Sequence, residues 1–147
     1  MLSSTISTWL QERQECIVTL HHLCSYRPFT SAKAACILPM LNEFCELLMD
    51  YVSRGHFEIY EKLQCANEIQ IDIANKMPAD WLTKLLVTTG TCLDFNDKYE
   101  LTTHLGQLET DLSKLALQLA QRLEFEDRMI ALHSQAKQQP VFMTKTA

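Results

Sequence analysis

The sequence predicts an all-α protein: an antiparallel four-helix bundle with a long second helix and a flexible C-terminal tail. Apolar residues recur at intervals of three and four along four separate stretches. Only 3 Gly and 4 Pro occur in 147 residues, too few turn formers for an all-β chain. Hydrophobic residues make up 47% against 21% charged, which argues against extended disorder. One domain suffices at this length and can bury about two thirds of the surface the unfolded chain exposes. The expected division is a helical bundle over 1–133 and a tail over 134–147.

Helix one is expected over 5–26, with Ile6, Trp9, Leu10, Ile17, Leu20 and Cys24 near one face and Gln11 to Glu15 as polar cover. Arg27-Pro28-Phe29-Thr30-Ser31 forms a connection, because Pro28 disfavours helical geometry at Arg27 and Ser31 is a suitable cap for the next helix. Helix two then runs over about 32–65. Its core stripe starts at Leu41, Phe44 and Leu48 and continues through Val52, Ile59 and Leu63. Gly55, costly inside a helix by about 1 kcal/mol relative to Ala, marks a kink, a break or a close contact, with continuity favoured.

Asn67 restarts the chain into a third helical region. Pro78 either kinks that helix or opens its second half at Pro78-Ala79-Asp80, and Trp81, Leu82, Leu85, Leu86 and Leu93 supply its packing surface. The last helix carries the clearest seam: Leu101, Leu105, Leu108, Leu112, Leu115, Leu119 and Leu123. Asp97 and Glu100 are placed as its opening pair. The polar end from Ser134 is expected to fray.

Helix two carries a second stripe besides its core face. Asp50, Ser53, Phe57, Tyr60 and Glu61 recur at three and four on roughly the opposite side and are expected to meet water or a partner. The mixture suits an interface, since aromatic area anchors a contact while Asp50 and Glu61 meet Arg or Lys across it. Arg54 and His56 stand ready to order those carboxylates or touch the partner themselves.

Other functions find little support in the residues. The net charge of −5 argues against a duplex nucleic-acid binder and favours a basic protein surface as partner. No histidine has Glu three positions earlier or Asp or Glu four positions later, so the ligand pairs of a helical metal site are missing. There is no Gly-rich phosphate loop, no Gly-x-Ser-x-Gly elbow, and Glu124-Phe125-Glu126-Asp127 reads as a solvated run. The reading is therefore a protein without cofactor, metal or catalytic residues. Cys16, Cys24, Cys36, Cys45, Cys65 and Cys92 include no pair separated by two residues and are read as reduced thiols, chiefly small core hydrophobes. Met1 to Leu10 lacks the pattern of a secretory signal and no run approaches about 18 apolar residues, so a cytoplasmic protein with no membrane partner is expected.

The segment Leu48-Met49-Asp50-Tyr51-Val52-Ser53-Arg54-Gly55-His56-Phe57-Glu58-Ile59-Tyr60-Glu61 resembles the signature of the Rsd/AlgQ family, bacterial regulators of sigma factor activity. Trp9-Leu10-x-x-Arg13, Leu41-x-x-Phe44-Cys45 and Leu123-Glu124-Phe125-Glu126-Asp127-Arg128 occur in the same order as in the family, so the resemblance spans most of residues 9–132. It implies an anti-sigma factor of stationary phase that binds the C-terminal region of the housekeeping sigma factor. That region otherwise engages the promoter −35 element and the polymerase flap, so the implied mechanism is occlusion. The same likeness makes Asp50, Ser53, Arg54, His56, Phe57, Tyr60 and Glu61 interface residues, with Trp9 and Arg13 joining from helix one. The alternative it implies is a regulatory adaptor that binds the phosphotransferase carrier HPr or a stringent-response enzyme.

Overall fold

The computed structural model describes residues 2–63, 80–101 and 103–138, and every regular element among them is helical. The principal helices are α1 (Leu2–Cys24), α2 (Ala34–Arg54), α3 (Trp81–Glu100) and α4 (Leu108–Gln138). They form a four-helix bundle around one apolar core.

On α1 the buried side chains are Ile6, Trp9, Cys16 and Leu23. Leu10, Ile17, Leu20 and Cys24, expected beside them, lie half-buried at the edge. Arg13 continues the same face between Trp9 and Cys16, which places a cation at a core-facing position. A short 3-10 turn, Ser31–Lys33, leads into α2, and no side chain caps either start. Along α2 the buried residues Ile37, Leu41, Phe44, Cys45, Leu48, Tyr51 and Val52 keep to the helical period.

Gly55 does not break this helix. Residues Gly55–Ile59 form a π turn, in which the Tyr60 N–H donates to the Gly55 carbonyl, and helical geometry resumes through Leu63. The glycine answers a packing need: a Cβ there would stand 3.0 Å from Trp9 Nε1 and 3.2 Å from the Tyr60 hydroxyl. The expected third-helix start at Asn67 and the Pro78 position lie outside the described residues, as does Cys65.

Helix α3 buries Leu85, Thr88, Thr89, Cys92, Phe95 and Tyr99, a face less apolar than expected. Leu86 and Leu93, assigned to that face from the sequence, are 42% and 44% exposed. The buried threonines satisfy their hydroxyls on the Leu85 carbonyl, at 2.5 and 3.3 Å, so the core accepts them in place of leucines. Asp97 and Glu100 lie in the last turns of α3 and do not open the next helix. Phe95 and Tyr99 extend the α3 packing face beyond the point where the leucine pattern suggested a boundary.

The leucine seam is correspondingly shorter than expected. Leu101 is 91% exposed at the end of α3, and Leu105 is buried from the loop. The helical seam proper consists of Leu108, Leu112, Leu115 and Leu119. After Leu119 its alternation of three and four passes through Arg122 and Glu126 instead of Leu123, which is only half-buried. Helix α4 continues into the expected tail as far as Gln138, and 139–147 lie outside the described residues.

Neighbouring helices are tied by specific polar and aromatic pairs. Phe44 on α2 meets Phe95 on α3 edge to face, with centroids 5.9 Å apart. Tyr99 on α3 donates a 2.5 Å hydrogen bond to Asp111 on α4, and Lys98 pairs with the same carboxylate at 2.7 Å. No described helix is long and apolar enough to cross a membrane.

Candidate partner-binding face

The outer side of the segment 50–61 is built on a backbone whose inner side is locked into the core. Val52, Ile59 and Leu63 are buried, as their spacing required. Opposite them Asp50, Ser53, His56, Phe57 and Glu61 are exposed. Phe57 is 75% exposed on the π turn, with the His56 imidazole edge-on at 4.8 Å. A ring this exposed offers apolar area to a partner.

Arg54 does not order Asp50 or Glu61 by a direct ion pair. It pairs with Glu12 on α1 and with Glu58 one turn on at 2.7 Å, and so fastens the start of the π turn to α1. Beside Asp50 an open groove of about 370 Å³ runs between α2 and α3. The carboxylates of Glu46, Asp50 and Glu100 line it, together with Cys45 and Met49.

Three residues that the resemblance assigned to the interface point inward. Tyr60 is 3% exposed and Trp9 is fully buried, so neither belongs to the outer stripe. The π turn is the physical reason for Tyr60. Leu48 and Tyr60 are twelve residues apart, which in a regular helix would separate them by about 120° around the axis, and the extra residue of a π turn takes back about 100°. Trp9 packs against that inward ring at 6.0 Å edge to face and stacks on Tyr51 at 6.2 Å. Arg13 reaches across to α4, 3.3 Å from Glu126 and 2.8 Å from Asp127.

These inward groups converge on a buried polar network centred on Glu126. Its carboxylate accepts from the Tyr51 hydroxyl at 2.6 Å and from the Tyr60 hydroxyl at 2.5 Å, while Arg122 pairs with it at 3.2 Å. Arg122 also donates to Thr88 at 3.1 Å and to Thr89 at 2.7 Å, and its guanidinium lies 5.3 Å from the Tyr51 ring and 5.2 Å from the Tyr60 ring. Arg122 and Glu126 are both fully buried, which corrects the reading of Glu124 to Asp127 as a solvated run.

Burial pushes the Glu126 carboxyl above its ordinary range, and Arg122, the two tyrosine hydroxyls and Arg13 pull against that. Burial and the neighbouring carboxylate raise both Tyr51 and Tyr60, so their hydroxyls stay protonated donors. The sequence signal for this network was the seam itself: Arg122 and Glu126 occupy the next two seam positions after Leu119 and are spaced four apart.

A sequence model of the family described as "Regulator of RNA polymerase sigma(70) subunit, Rsd/AlgQ" matches residues 2–133. The chain is 32% identical over 136 residues to a protein named "Regulator of sigma D" from Pectobacterium carotovorum subsp. carotovorum (strain PC1), covering 88% of each chain. It is 29% identical over 139 residues to the protein of that name from Pectobacterium atrosepticum, covering 87% of this chain and 86% of the other. A third, from Escherichia coli O139:H28, is 29% identical over 131 residues, with 86% and 82% covered. No solved structure matches the chain.

Proposed function

Because the chain belongs to the Rsd/AlgQ family of regulators of the RNA polymerase sigma(70) subunit, we propose that it is an anti-sigma factor that binds the C-terminal, −35-recognising region of the housekeeping sigma factor. Binding lowers sigma's use by RNA polymerase by covering the surface that would engage promoter DNA and the polymerase flap. The role is stoichiometric, not enzymatic, and the encounter takes place in the cytoplasm, where polymerase works.

The observation that carries this reading is the 75% exposure of Phe57 within the segment that bears the family resemblance. An exposed aromatic supplies the apolar anchor of an interface, and Asp50, Ser53, His56 and Glu61 supply its polar surround. A surface that reads DNA is rich in Lys and Arg, so the net charge of −5 and the carboxylates along the α2–α3 groove favour the encounter electrostatically. Trp9, Tyr60 and Arg13 support the face from beneath.

The test is size-exclusion chromatography of the chain with the isolated C-terminal region of its bacterium's housekeeping sigma factor. A co-eluting one-to-one complex is expected. Separate elution of two folded proteins would reject the reading, and a complex formed instead with HPr or a stringent-response enzyme would assign the chain to the adaptor role.

A further inference from the structure

We infer that the Tyr60–Glu126 contact is a clamp that holds the π turn Gly55–Ile59 open in register, and that these two buried residues thereby position Phe57 and select the groups that flank it. The inference deepens the proposed function and rests on it for the identity of the partner.

On the outer side, Arg54 fastens the start of the turn to α1 through Glu12 and meets Glu58 within it. Helical geometry continues on both sides of it, and Gly55 has ordinary right-handed helical geometry, with φ −57° and ψ −50°. The restraints on the inner side converge on Tyr60. The Tyr60 hydroxyl sits 2.5 Å from Glu126 Oε2, Arg122 lies over its ring at 5.2 Å, and Trp9 meets that ring edge-on at 6.0 Å. Gly55 leaves the space in which Trp9 and the Tyr60 hydroxyl approach the helix backbone. Closing the turn to a regular helix would rotate Tyr60 by about 100° away from all of these. The buried Glu126 carboxylate would then lose one of its two tyrosine donors, a costly loss for a charge away from water.

The outer surface depends on the same register. In a regular helix Asp50, Phe57 and Glu61 would lie within about 20° of one line, because they are seven and eleven residues apart. The wide turn moves Glu61 about 100° round the axis from that line, so it flanks Phe57 from another side. One buried contact thus decides which polar groups accompany the exposed ring. A helix held in the regular register would present the partner with a different pattern from the same residues. Tyr60 and Glu126 are positioning residues and do not touch the partner.

Scalar coupling across hydrogen bonds, read by NMR on the isotope-labelled full chain, reports the register directly. In the wild type the residue-60 amide nitrogen should couple to the Gly55 carbonyl carbon, the bond the structure shows. In Tyr60→Ala and Tyr60→Phe it should couple to the His56 carbonyl instead, as in a regular helix. Leu41→Ala, a core truncation at a residue 1% exposed on α2, is the control and should leave the coupling on Gly55. Affinity for the sigma C-terminal region should fall about tenfold or more in both Tyr60 variants. Tyr60→Phe keeps the inference testable if the alanine variant fails to fold.

Coupling that stays on Gly55 in a folded Tyr60 variant would overturn the inference. A shifted coupling with unchanged sigma affinity would overturn it as well. The coupling needs no partner, so failure of the wild type to bind sigma would reject the proposed function while the register measurement still decides the clamp.

Discussion

The Tyr60 hydroxyl donates a 2.5 Å hydrogen bond to Glu126, joining positions 66 residues apart in sequence inside a bundle core that excludes water. Glu126 in turn neutralises the fully buried Arg122. Replacing Glu126 by Gln keeps the shape but leaves the Arg122 charge with neutral partners, the hydroxyls of Thr88, Thr89 and Tyr51 and the two tyrosine rings. The expected cost is about 3–5 kcal/mol, the usual consequence of stranding one partner of a buried pair. Urea unfolding of the two proteins measures it, and a difference below about 1 kcal/mol would show that the buried Arg122 charge does not depend on the Glu126 carboxylate.

Two glycines should respond to alanine with opposite signs. At Gly55 the new methyl would meet Trp9 Nε1 at 3.0 Å and the Tyr60 hydroxyl at 3.2 Å, and overpacking there should destabilise by about 1–3 kcal/mol. At Gly90, within α3, nothing lies within 4 Å of the added atom. Helix propensity then acts alone, and Gly90→Ala should stabilise by about 0.5–1 kcal/mol. Thermal melts of both variants check the pair together.

Acid should weaken the join between α3 and α4. Burial pulls the Asp111 carboxyl upward, but the bonds from Lys98 and Tyr99 outweigh that and leave it below the ordinary carboxylate range. A group whose folded pKa is depressed contributes its stability above the unfolded value, and loses it as pH falls through the lower folded value. Asp111→Asn should therefore cost about 1 kcal/mol at pH 7 and progressively less below about pH 4. Stability curves at several pH values test this, and a gap that widens in acid would contradict it.

The thiols should divide by burial. Cys36 is exposed, whereas Cys16, Cys45 and Cys92 are buried and burial pushes them up to about 12, 11 and 11. Thiolate is the reactive form, so an alkylating reagent at pH 8 should mark Cys36 quickly and these three only on unfolding. Peptide mapping by mass spectrometry reads the order, and early marking of Cys92 would contradict the packing.

The helical class and the core of α2 were legible because Leu41, Phe44, Leu48, Val52, Ile59 and Leu63 are apolar and regularly spaced. The exposed position of Phe57 was legible for the same reason, lying opposite that stripe. The boundary between α3 and α4 was not, because Leu101 extends a leucine pattern while Tyr99 and Phe95 belong to the preceding helix. Tyr60 was misplaced because an amphipathic ring satisfies either surface or core, and a π turn shifts the helical phase without a distinctive composition, whereas Trp9 is buried on the apolar face its spacing gave it. Arg122 and Glu126 were read past because charges are seldom fully buried unless paired, and the pairing is visible only when the helices are assembled. Pattern finds apolar faces well; it does not find a buried ion pair whose further partners come from the other helices.

The central claim is that Phe57 anchors a complex with the C-terminal region of the housekeeping sigma factor. Calorimetric titration of that region into the wild-type chain and into Phe57→Ala tests it most directly. Saturable one-to-one binding by the wild type, weakened by about 2 kcal/mol or more in a variant that melts like the wild type, is the predicted result. Equal affinity of the two folded proteins would contradict the assigned face, and no binding by either would contradict the assigned partner.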